Sequence, residues 1–86
     1  MKVGQYLRAL LAEAKENHGI DGSFEEARYI GVGYQYYIYL WTDDEKSNRK
    51  RRGFSLTDEF LREKSADEIE KQIRPIFDEL VEEFLS

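Results

Sequence analysis

The sequence predicts an α+β fold: a helix, a three-stranded antiparallel β-meander, a short helix and a long C-terminal helix, with the helices packed on one sheet face. Three observations predict it. Apolar residues recur with a helical period at both ends of the chain. The middle third is dense in tyrosine and β-branched residues, the composition of strands. Polar and glycine-containing turn sequences cut that third into strand lengths. At 86 residues, the reading is one small domain over 1–86.

The first helix spans 2–18. Val3, Tyr6, Leu7, Leu10, Leu11 and Ala14 form one stripe of a 3.6-residue period, and Lys2, Arg8, Glu13, Lys15 and Glu16 fall mostly off it. Asn17-His18-Gly19 supplies the exit, with Gly19 suited to the left-handed closing position. Residues 20–23 read as a loop around Asp21-Gly22, and Ser23-Phe24-Glu25-Glu26 fits a capping box for one helical turn. The run from Arg28 to Thr42 then divides into strands over 27–32 and 35–42, joined by a tight connection near Gly33–Gln35. A polar turn over 43–48 leads to a third strand over 49–56. Thr57 caps a short helix over 58–64, and Ser65-Ala66-Asp67-Glu68 is a capping box opening the long helix over 66–85. Pro75 removes the hydrogen bond to Lys71, which predicts a kink or restart near Arg74.

Strand side chains alternate, so parity sorts this sheet into faces. Ile30, Val32, Tyr36, Ile38, Leu40, Phe54 and Leu56 share one face, which the two helical stripes should cover. Tyr29, Gly31, Gly33, Tyr37, Tyr39, Trp41, Arg49, Arg51, Gly53 and Ser55 share the other, for which no helix is left. Tyrosine, tryptophan and arginine are enriched in protein interfaces. An aromatic sheet beside arginines also suits the stacking of single-stranded nucleic acid. An ordinary solvated sheet carries the same residue types for its own cross-strand pairs.

Charge is uneven along the chain. The net −5 of 13 basic and 18 acidic residues is −4 over 1–45, +5 over 46–57 and −6 over 58–86. The basic segment Lys46, Arg49, Lys50, Arg51 and Arg52 offers phosphate contacts, or simply blunts a strand edge. The acidic helices offer the converse: Asp78, Glu79, Glu82 and Glu83 face away from the apolar stripe, where they suit the cationic groove of a partner protein or plain solvation.

Residue types exclude most chemistry. Zero cysteine removes disulfides, thiol catalysis and cysteine-ligated zinc, and the one histidine, His18, sits where a helix C-terminus favours a cation. Asp43-Asp44-Glu45 is too compact for a calcium loop, and Gly31-Val32-Gly33 lacks the rest of a dinucleotide fingerprint. No serine has a base nearby, so no catalytic residue, metal or cofactor is expected. Leu7–Leu11 is too short for a signal peptide and no apolar run approaches a membrane span; with no cysteine, a cytoplasmic, non-membrane protein is expected. The helix–three strands–helix order is shared with the double-stranded-RNA-binding domain. That family sets lysines at the start of its last helix, where this chain has Asp67, Glu68 and Glu70, and fold order alone carries no function.

The expectation is therefore a non-catalytic interaction module, a small acidic regulator or inhibitor that binds a protein partner. It would use Tyr37, Tyr39 and Trp41, or Asp78, Glu79, Glu82 and Glu83, the latter by imitating nucleic-acid phosphates if the partner binds nucleic acid. A homodimer through the aromatic face is a related expectation. The alternative is a nucleic-acid-binding domain built on the aromatic face and Lys46, Arg49, Lys50, Arg51 and Arg52.

Overall fold

The structure, a computed structural model, describes residues 2–42 and 49–86. The elements run α1 (Val3–His18), β1 (Asp21–Tyr29), β2 (Gly33–Trp41), β3 (Lys50–Thr57), α2 (Asp58–Glu63) and α3 (Ala66–Leu85). The α+β architecture is the one the sequence predicts. The strands form one antiparallel sheet in the order β1-β2-β3, with β2 in the centre. The expected turn over 43–48 lies outside the described residues.

Hydrophobic burial on one face organises the molecule. Val3, Leu7, Leu10 and Ala14 of α1 and Ile69, Ile73, Phe77 and Leu80 of α3 are buried against Tyr36, Ile38, Leu40, Phe54 and Leu56 of the sheet. Burial of each valine, leucine, isoleucine or phenylalanine among them contributes about 1.5–3 kcal/mol relative to exposure. α1 lies over β1, and the guanidinium of Arg8 sits 5.6 Å from the Phe24 ring centroid. α2 and α3 lie over β2 and β3. The helices lock to each other through Arg74, which donates to both oxygens of Glu13 on α1 at 2.6 and 3.2 Å and also meets Asp78 at 3.3 Å. Among the described residues, no charged side chain is fully buried.

The ends of the helices follow their sequence signals. Gly19 closes α1 with φ 67°, and the N–H groups of Gly19 and Ile20 satisfy the carbonyls of Lys15 and Ala14. The Thr57 hydroxyl accepts from the Phe60 N–H at the start of α2. Ser65 and Glu68 form a reciprocal capping box at the start of α3.

Four expectations are corrected. First, Ser23-Phe24-Glu25-Glu26 is strand, not a helical turn: β1 begins at Asp21 because Phe24, once extended, packs under α1. Second, β1 ends at Tyr29, and the hairpin connection is residues 30–32 rather than 33–35. Tyr29 and Gly33 are the last β1–β2 pair, Val32 N–H donates to the Tyr29 carbonyl, and Gly31 takes φ 80° in the turn. Third, Ile30 and Val32 therefore leave the apolar face and stand 91% and 64% exposed at the tip. Fourth, of the kink or restart expected near Arg74, the restart does not occur. Lys71 and Pro75 are both exposed, so the carbonyl left without an amide partner can be solvated, and the helix runs unbroken to Leu85. Helix α3, at 20 residues, is not apolar enough to cross a membrane, and no other described helix is long and apolar enough to do so.

Candidate protein-interaction surface

The uncovered face of the sheet is built in rows by the strand register. One row crosses Asp21 and Trp41, the next Ser23, Tyr39 and Arg51, the third Glu25, Tyr37 and Gly53, and the fourth Ala27, Gln35 and Ser55. Parity puts all of these opposite the buried Tyr36, Ile38 and Leu40. Tyr37, Tyr39 and Trp41 are half-buried, which a bare sheet face achieves only through cover from neighbouring strands.

Two arginines supply that cover. The guanidinium of Arg51 lies 5.2 Å from the Tyr37 ring centroid, and that of Arg49 lies 4.2 Å from the Tyr39 centroid. Each leans diagonally, one row along from its own, and such contacts stabilise by about 0.5–1 kcal/mol at exposed sites. Gly53 makes room for this. A Cβ on Gly53 would stand 2.8 Å from a Tyr37 ring carbon, so the ring occupies the space that a side chain there would fill. The Tyr39 hydroxyl joins the outer strands: it hydrogen-bonds the Glu25 carboxylate, which with partial burial pushes the phenol above its ordinary value, while Arg51 pulls it back. In the fourth row, the Ser55 hydroxyl donates to the Gln35 side-chain oxygen.

The alternation of β3 splits the basic segment. Arg49 and Arg51 stand on the uncovered face, whereas Lys50 and Arg52 belong to the other, where Arg52 meets Glu79 of α3 at 3.2 Å. Lys46 lies outside the described residues. The described part of the segment, Arg49 to Arg52, thus does not present one cationic patch.

The acidic set is similarly divided. Asp78 is held by Arg74 and Glu79 by Arg52, while Glu82 and Glu83 form no ion pair among the described residues. With Arg52, Glu79 and Ser86 they border an open groove of about 510 Å³. A second hollow, about 360 Å³, opens between the start of α1 and Leu61 of α2 over Tyr34, Tyr36 and Glu26. The Tyr36 phenol is pushed well up by burial and then by its hydrogen bond to Glu26. His18 borders a cleft of only about 90 Å³ beside Arg74 and Asp78. Among the described residues, no group of three or more histidine, cysteine or acidic side chains could hold a metal ion.

Sequence reading missed two features of this surface. Glu25 went unnoticed because the capping-box pattern at Ser23 hid a strand whose alternation puts Glu25 beside Tyr37. Ile30 and Val32 read as strand by composition although they belong to the turn after Tyr29; the spacing of Gly31 and Gly33 is the signal that marks that turn. Comparison with protein families, with curated proteins and with solved structures finds no match for this chain.

Proposed function

We propose that the chain is a non-catalytic protein-interaction module whose docking surface is the uncovered face of the sheet. One observation carries this. Tyr37, Tyr39 and Trp41 stand half-buried on the one sheet face that no helix covers, beside Glu25, Arg49 and Arg51, which form no ion pair among the described residues. Charged groups left unpaired beside three half-buried aromatic rings are what an interface needs: rings for burial, charges for register.

The face supports a protein partner over nucleic acid. Two arginines stand against Glu25, and Asp21 is neutralised by Lys15, so the described face carries an excess of a single cation rather than a basic patch. The rings of Tyr37 and Tyr39 are already stacked under guanidinium groups, which occupies the planes that bases would need. Asp78 and Glu79 are committed within the chain, which weakens the acidic helices as the docking site. A role as a small regulator or inhibitor in the cytoplasm fits such a module.

The test is retention of a partner by a tagged chain. Tyr39→Ala with Trp41→Ala should release it, and Glu82→Lys with Glu83→Lys should not. Release by the acidic variants alone moves the site to α3. Salt-sensitive binding of a single-stranded oligonucleotide that quenches Trp41 fluorescence replaces the reading with the nucleic-acid one.

A further inference from the structure

We infer that the occupant of the uncovered face is the same face of a second copy of this chain, related by a two-fold axis running along β2. The inference rests on the reading of that face as the docking surface and names its partner.

The face is antisymmetric across its width. β1 brings the carboxylate of Glu25, β2 the rings of Tyr37, Tyr39 and Trp41, and β3 the guanidinium groups of Arg49 and Arg51. Within one copy the outer strands stand roughly 10 Å apart with β2 between them. Glu25 and Arg51 accordingly form no ion pair there and meet only through the Tyr39 hydroxyl. A two-fold axis parallel to β2 lays β1 of one copy over β3 of the other. Opposite charges then face each other twice, as a self-complementary interface requires.

The rows agree with this axis. Arg51 leans out of its own row onto the ring of Tyr37, which shares its row with Glu25. Glu25 of the second copy therefore arrives level with the guanidinium. Arg49 leans onto Tyr39, which shares its row with Ser23, so a hydroxyl of the second copy meets it. An axis across the strands does the reverse, setting Glu25 against Glu25 and Arg51 against Arg51. Facing sheets pack about 10 Å apart, within reach of these side chains. The footprint is roughly 400 Å² a side, about half that of a standard stable interface, so pairing is weak, reversible and follows concentration.

Sedimentation equilibrium over about 5 to 500 μM tests this, the range being set by so small an interface. The wild-type chain should shift from monomer to dimer. Glu25→Arg alone and Arg51→Glu alone should each weaken pairing by about tenfold or more, since each sets like charges together twice. An equimolar mixture of the two variants should restore the dimer, because each then meets its opposite. Both sites are exposed, and circular dichroism confirms that the variants fold. A monomeric wild type, single variants that pair as well as wild type, or a mixture that stays monomeric each overturn the proposal. A monomeric wild type that still retains a partner through Tyr39 and Trp41 removes self-pairing and leaves the docking surface standing. A monomer whose partner is indifferent to those residues removes both.

Discussion

β2 sends tyrosines to both faces of one sheet, and adjacent residues meet opposite fates. Tyr36 is 2% exposed, with its ring stacked 5.2 Å from Phe54 and 6.0 Å from Tyr34, and its hydroxyl is satisfied by Glu26. Tyr37, one residue on, lies half-buried on bare Gly53 beneath Arg51. The residue type is the same, so composition does not decide the role. What decides it is which parity the helices cover. The covered face holds the fold through apolar burial, and the uncovered face keeps its aromatics in place with cations and glycine.

The comparison breaks most easily through stability. Ile38→Ala on the covered face, from a side chain with 0% exposure, should cost about 2–5 kcal/mol in urea unfolding. Tyr37→Ala should cost about 1 kcal/mol, the worth of cross-strand and cation–π contacts. Equal costs would mean that the two faces carry the fold alike. Gly33→Ala comes next, at the end of the sheet where the hairpin joins β3. A Cβ at Gly33 would meet the Leu56 carbonyl oxygen and stand 2.7 Å from the Thr57 Cα, both backbone atoms that cannot swing aside. A loss of about 2 kcal/mol is expected by the same measurement. Ser65→Ala should then cost about 1 kcal/mol by removing the cap of α3, and it should leave self-association unchanged because the helices lie behind the sheet.

Acid dependence is the smallest effect, and it too resides on the helical side. Arg74 holds the Glu13 carboxyl below its ordinary value through its hydrogen bonds, and the Ser65 N–H and hydroxyl do the same for Glu68. Both folded values are lowered, so the stability these groups contribute is present above the ordinary glutamate value of about 4.5 and is lost as pH falls through the lowered ones. Arg74→Met should therefore flatten the acid limb of a stability–pH profile. An unaltered limb would show that the α1–α3 bridge does not form in solution.

Much of this architecture was legible in the sequence, and the gaps have physical causes. The helical stripes, Gly19, Thr57 and the Ser65–Glu68 box announce their elements because each signal is local and repeats within a turn or two. The parity of Tyr36 through Trp41 and of Phe54 was legible for the same reason. β1 was not: Asp21, Gly22 and Ser23 are turn formers by propensity, and only the cover of α1 over Phe24 makes that stretch a strand. Ile30 and Val32 misled in the opposite sense, since β-branched residues at a hairpin tip mimic strand until the turn at Gly31 is seen. On the uncovered face, Tyr37, Tyr39, Trp41, Arg49 and Arg51 could be named from the sequence. The carboxylate of Glu25, on which the proposed self-pairing depends, emerges only from the register of β1 with β2.

Trp41, the single tryptophan of the chain, stands on this face and reports on it directly. Acrylamide quenching of its fluorescence, followed as protein concentration rises, tests whether the face meets a second copy. Ready quenching in dilute solution that declines as the chains pair is the expected result. Quenching that stays constant across the whole range, whether strong or weak, would contradict it.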